Sequence, residues 1–196
     1  LKIELSINSI IHKNLPNILT VARILSIPLI IYFFFSAEPI YKIVSFILVF
    51  IFSLTDFFDG YYARTYNLVT GLGKYLDPLA DKIFILSLFF CLHLYFNSFF
   101  PLWMIFVIIV RDIGVMLLRN IYYTNNLNFN TSMLGKRKTL IQIIAIHIML
   151  LLIIMNEYKL LSINFFFVYY LMLICVIVTL YSGMDYLFKY YQFKKK

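Results

Sequence analysis

Four aspartates fall within "DFFDGYYARTYNLVTGLGKYLDPLAD", residues 56–81, of a chain that holds only nine acidic residues. Asp56 and Asp59 are three apart, and Asp77 and Asp81 are four apart. On a helix either spacing puts two carboxylates on one face, a turn apart. Each charge costs about 2.5–3.5 kcal/mol at the centre of a membrane helix, and mutual repulsion adds to that. Divalent cations offset both penalties. A ligand set made of carboxylates alone favours hard ions such as Mg²⁺ or Mn²⁺. Four carboxylates suit two ions, an arrangement used for phosphoryl chemistry. The neighbours fit a phosphate ester. Gly60, Ala63 and Gly73 lie on the carboxylate-bearing faces and leave room for a ligand, although small residues also serve close helix packing in membranes. Arg64 offers a guanidinium that can fork onto phosphate oxygens.

The elements that must position these groups are hydrophobic helices. The chain has 196 residues, 63% of them hydrophobic, far above the share in an ordinary soluble domain. Apolar runs approach the roughly 20 residues that cross a bilayer as a helix. The expected fold is an all-α integral membrane protein of six transmembrane helices with a short N-terminal juxtamembrane helix. The spans are expected at about Leu19–Phe35, Ile40–Tyr62, Tyr75–Phe96, Pro101 to Tyr122, Thr139–Met155 and Leu160–Phe188. Breakers separate them: "SAEP", "RTYNLVTG", "NSFFP", "TNNLNFNTSMLGKRK" and "NEYK". Residues 1–196 read as a single domain with its core motif at 56–81. The mildly amphipathic segment 1–13 is expected along the membrane surface. Glu4 and the lack of a small-residue cleavage pattern argue against a cleavable signal peptide.

The formal net charge is +8. In a membrane protein such an excess points to anionic lipids rather than nucleic acid. With six spans, the basic residues of both termini and of the second and fourth loops share one side, and only Lys42 and Lys159 fall on the other. The positive-inside rule then turns both termini and the aspartates toward the cytoplasm. The remaining chemistry-bearing residues read as ordinary. Cys91 and Cys175 lack metal-ligand spacing, and His12, His93 and His147 stand alone in their segments. Arg137 reads as a topology signal. Aromatics, at 19% of the chain, read as lipid-facing bulk and interfacial belts. Pro16 and Pro28 read as a helix start and a kink. Pro78 leaves two options: a lost hydrogen bond inside the third helix, or a first helical position capped by Asp77.

The spacing Asp56-x2-Asp59-Gly60-x2-Ala63-Arg64-x8-Gly73-x3-Asp77-x3-Asp81 resembles the signature of the CDP-alcohol phosphatidyltransferase family at every position. "NLPNILTVAR" (Asn14–Arg23), "GKRKTLIQ" (Gly135–Gln142) and "YSGMDY" near Tyr181 look like the members that use glycerol 3-phosphate as acceptor. "YLDPLADK" is shared with the cardiolipin synthases of the same fold. Asp112 stands where the glycerophosphate-using members usually have Glu and leans toward the cardiolipin type.

The resemblance implies a six-helix membrane enzyme, often a homodimer, set most commonly in a bacterial inner membrane. It implies a two-metal site of Asp56, Asp59, Asp77 and Asp81, with Asp81 as general base. The donor would be CDP-diacylglycerol and the acceptor glycerol 3-phosphate. Asn17, Thr20 and Arg23, three apart on one helix face, are expected on the nucleotide side of the cavity, with Gly60, Ala63, Arg64 and Gly73 also toward the donor. Arg111, Arg119, Lys136 and Lys138 are the candidate cations for the acceptor's phosphate. Two rivals stand beside this reading. One is a sister transferase, foremost a cardiolipin synthase acting on phosphatidylglycerol. The other is a divalent-cation channel or transporter, which explains membrane carboxylates but not the placement of glycine, alanine and arginine.

Overall fold

The computed structural model describes the backbone of residues 2–65, 73–124, 133–162 and 164–194. Side chains are described within 18–55, 79–118 and 134–188, apart from Ser98, Lys136, Ile163 and Phe165, together with Ile121 and Tyr191. Among the described residues every regular element is helical: α1 (Lys2–Phe35), α2 (Pro39–Thr65), α3 (Gly73–Phe96), α4 (Leu102–Thr124), α5 (Met133–Glu157) and α6 (Phe165–Lys194), with a 3₁₀ turn at Asn97–Phe99. Four stretches are long and apolar enough to cross a membrane: Ile18–Phe35, Leu79–Phe96, Arg137–Glu157 and Phe166–Phe188. Pro39–Thr55 of α2 is a shorter apolar stretch. Large apolar side chains such as Leu25, Phe106, Leu117, Tyr170 and Ile177 lie exposed on helices that also bury an apolar stripe. Helices apolar on both faces mark a multi-pass membrane protein.

The helices outrun the expected spans because a helix need not stop where its apolar run stops. α1 is the largest case. Segment 1–13 does not form a separate surface helix, since one helix runs unbroken from Lys2 to Phe35 over 34 residues. That is about 50 Å of helix against a hydrocarbon core of about 30 Å, so part of α1 projects beyond the apolar layer. Pro16 therefore lies inside α1 rather than at its start. The turns before it hold no breaker, and a proline inside a helix removes one backbone hydrogen bond without forcing an end. Pro78 is settled the same way. α3 begins at Gly73, so Asp77 is not its cap.

Two helix ends show what Lys42 and Lys159 do locally. Pro39 takes the first position of α2, where its missing N–H is no loss. Lys42 is buried, and its Nζ donates to the carbonyls of Phe34 at 3.2 Å and Ser36 at 3.0 Å. It thereby satisfies orphaned acceptors at the C-terminus of α1 and complements the helix dipole. At the end of α5, Lys159 takes a positive φ of 54°. The Leu160 N–H then reaches the Met155 carbonyl and the Lys159 N–H reaches that of Asn156, which is the Schellman pattern. Asn164 opens α6 by accepting the Phe166 N–H on its side-chain oxygen. These caps start α6 at Phe165 rather than at Leu160.

The chain divides into two compact units, Leu1–Ser87 and Leu88–Lys196. In the first, α1 packs along α2. The buried stripe of α1 runs Thr20, Arg23, Ser26, Ile30, Phe34, at helical spacing and polar only in its N-terminal half. In the second unit α6 packs on both α4 and α5. The buried stripe of α6 is apolar at Val168, Met172, Cys175 and Val176, then polar at Thr179, Ser182 and Tyr186. α5 shows the same change in reverse, Lys138 and Gln142 preceding Ala145, Ile146, Met149 and Ile153. In α4, Met104, Ile105 and Ile108 give way to Asp112. The second unit therefore gathers its buried polar groups at one end, whereas the first buries Thr20, Arg23 and Ser26 toward one end and Lys42 and Ser45 toward the other.

Candidate active site

In the first unit the described part of the site is an ion pair. Arg23 is buried, and its Nη1 donates to Oδ1 of Asp81 at 2.5 Å. An unpaired guanidinium in a membrane span would carry a heavy desolvation penalty, and the carboxylate of α3 offsets it. The pair also fixes the carboxylate, with one oxygen on the guanidinium and a side chain still about a third exposed. Ser26 donates to the Arg23 carbonyl at 2.7 Å, and Thr20 lies buried one turn before Arg23. Ala80, beside Asp81, is fully buried.

α2 carries Asp56 and Asp59 one turn apart near its C-terminal end, and α3 carries Asp77 and Asp81 within its first three turns. The side chains of Asp56, Asp59 and Asp77 lie outside the described residues, as do those of Asn17, Arg64, Arg119 and Lys136; Gly60, Ala63 and Gly73 are placed only as helical backbone. Among the described residues no group of three metal-ligating side chains gathers. The donor chemistry still fits a divalent ion: α2 and α3 present carboxylates alone at these positions, and α1 meets both helices, packing along one and bonding the other through Arg23. Carboxylate oxygen is the ligand of Mg²⁺ and Mn²⁺ rather than of a thiophilic metal.

In the second unit the structure brings together two of the four expected acceptor cations. Asp112 is buried between them. Its Oδ1 accepts from Nζ of Lys138 at 2.5 Å and from Nη1 of Arg111 at 2.9 Å. Nη2 of Arg111 donates to the Ser182 hydroxyl at 2.7 Å. The guanidinium carbon stands 5.6 Å from the centre of the Tyr186 ring, within range of a cation–π interaction. One turn further into the bundle, Gln142 donates to Thr179 at 3.1 Å, joining α5 to α6. Two cations thus share one carboxylate. A guanidinium with five N–H donors suits phosphate oxygens.

Several members of this cluster carried no role in the sequence reading. Asp112 was noted only for its departure from Glu, and Gln142, Ser182, Gly183 and Tyr186 only as parts of quoted segments. Thr179, Ser182 and Tyr186 fall at helical spacing in the last polar stretch of an apolar helix, which is the signal that marks them. His93 and His147 are ordinary: one ring nitrogen of each lies at hydrogen-bond distance from a backbone carbonyl, Phe100 and Ile143 respectively. Cys91 and Cys175 are buried free thiols.

Comparison with known proteins follows the same lines. The family model of CDP-alcohol phosphatidyltransferase matches residues 13–181. A Rickettsia bellii (strain RML369-C) protein named CDP-diacylglycerol–glycerol-3-phosphate 3-phosphatidyltransferase is 40% identical over 141 residues, 72% of this chain and 77% of that protein. A Bacillus subtilis (strain 168) protein of the same name is 36% identical over 188 residues, 90% of this chain and 94% of that one.

Proposed function

The chain belongs to the CDP-alcohol phosphatidyltransferase family, and from that premise we propose that it transfers the phosphatidyl group from CDP-diacylglycerol to glycerol 3-phosphate, giving phosphatidylglycerophosphate and CMP. The observation that carries the acceptor choice is the pair Arg111 and Lys138 held beside one another by Asp112. Glycerol 3-phosphate brings a phosphate dianion and needs cations of its own. In this reading Arg119 and Lys136 join the same group, while Asn17, Thr20, Arg23, Gly60, Ala63, Arg64 and Gly73 serve the nucleotide and diphosphate of the donor.

Asp56, Asp59, Asp77 and Asp81 would hold two Mg²⁺ or Mn²⁺ ions. Bound there, the ions would neutralise the diphosphate and make CMP a better leaving group. Asp81 takes the proton of the 1-hydroxyl as its oxygen attacks the phosphorus that bears diacylglycerol. The bond from that phosphorus to the CMP oxygen breaks, and CMP leaves with the electron pair. A carboxylate is a weak base for an alcohol, so proton removal accompanies attack. Arg23 supports this role by holding Oδ1 of Asp81 in place.

The same reading places all six helices across the bacterial inner membrane, with both termini and the carboxylates toward the cytoplasm. The lysine-rich C-terminal end would meet anionic headgroups, and a homodimer is the expected assembly. The test is purified protein with CDP-diacylglycerol, Mg²⁺ or Mn²⁺, and a panel of acceptors. CMP release with glycerol 3-phosphate is the expected result. Strong turnover with phosphatidylglycerol alone moves the assignment to a cardiolipin synthase. Ion flux in liposomes without CMP release points to a transporter.

A further inference from the structure

The segment "YSGMDY" has no part in the chemistry above, yet three of its residues surround Arg111. Ser182 accepts from Nη2 at 2.7 Å. The ring of Tyr186 lies 5.6 Å from the guanidinium carbon. Gly183 faces the aliphatic stem: a β-carbon there would stand 3.0 Å from Cγ and 3.4 Å from Nε of Arg111. Tyr186 also meets the start of "GKRK", because a β-carbon at Gly135 would lie 2.7 Å from its hydroxyl oxygen. We infer that Ser182, Gly183 and Tyr186 of α6 are a clamp that positions Arg111, and through Gly135 the start of α5, for the acceptor's phosphate. The inference rests on the function proposed above.

The physical reason is pre-organisation. A free arginine side chain samples many rotamers and loses that freedom on gripping an anion. One already held by two hydrogen bonds, a ring and a close backbone loses little, so the same contacts give tighter binding. Both glycines are required by close approach rather than by backbone conformation, since neither has a positive φ. Asp112 and Ser182 engage one nitrogen each, Nη1 and Nη2. Each of these carries a second N–H, which leaves donors for phosphate.

The test is steady-state kinetics on Gly183→Ala and Ser182→Ala, with Gly114→Ala as control. Gly114 lies on the same helix as Arg111, and a β-carbon there would meet nothing within 4 Å. Both clamp variants should raise the KM for glycerol 3-phosphate about tenfold, the scale of one charge-assisted hydrogen bond. The KM for CDP-diacylglycerol should stay within about twofold, and Gly114→Ala should match the parent. The melting temperature of Gly183→Ala, measured beside its kinetics, separates positioning from folding. Should Gly183→Ala fail to fold, Ser182→Ala decides alone. An unchanged acceptor KM, or equal rises for donor and acceptor, overturns the clamp. A parent protein that releases no CMP with glycerol 3-phosphate overturns the proposed function instead. In that case the thermal shift produced by glycerol 3-phosphate is the readout: lost in the variants it upholds the clamp, retained it rejects it.

Discussion

The two units solve the problem of charge in a membrane in opposite ways. In the first, one guanidinium meets one carboxylate, Arg23 on Asp81, and three further aspartates stand on α2 and α3. In the second, two cations share a single carboxylate, Arg111 and Lys138 on Asp112. An acidic site calls for cations and, with them, a diphosphate; a basic site calls for an anion. In the function proposed above, the first cluster would serve the metal-bound diphosphate of the donor and the second the phosphate of the acceptor.

The sharpest way to break this contrast is to remove the metal. Exhaustive chelation should abolish CMP release, and Mg²⁺ or Mn²⁺ should restore it. Turnover that survives chelation would refute the acidic half. Next in size is Asp81→Asn. Asparagine keeps an acceptor oxygen for Arg23, so the protein should fold, while turnover should fall roughly 10²–10⁴-fold, the range for loss of a general base. Near-normal CMP release from a folded variant would remove Asp81 from that role.

Lys138→Ala probes the basic half. Loss of a hydrogen bond to a charged group is worth roughly 1.5–3 kcal/mol, so the acceptor KM should rise about 10–100-fold with the donor KM nearly unchanged. An equal rise in both would erase the distinction between the two sites. The smallest effect is expected far from either. Lys42→Met removes the cap on α1 and should cost about 1.5 kcal/mol of stability in a detergent melt, leaving both KM values as they were. A changed KM there would mean that this lysine does more than cap a helix.

Much of this was legible in the residues because periodicity and breakers are local. The order of six helices, four of them with stretches long and apolar enough to cross a membrane, and the helical backbone that carries Asp56, Asp59, Asp77 and Asp81 follow from spacing alone. The ends that differ most from expectation are those of α1, α5 and α6. α1 and α5 start upstream of their apolar runs, in sequence whose helical character hydropathy does not report. α6 starts late because Lys159 and Asn164 set a Schellman end and an N-cap. Pro16 misled for a related reason. Proline reads as punctuation, yet a helix already formed before it absorbs one missing hydrogen bond.

The sequence by itself determined the membrane class, the all-carboxylate set and the two groups of charge, since each depends on residue type and short-range spacing. Only the tertiary structure decided which cation meets which carboxylate. Arg23 with Asp81 and Lys138 with Asp112 join residues 58 and 26 positions apart. Nothing local encodes such a pairing, because it arises from where packed helices bring their polar ends. The need for glycine at Gly183 and Gly135 is of the same kind: it lies in the approach of Arg111 and Tyr186 from other helices, not in any conformation the glycines themselves adopt.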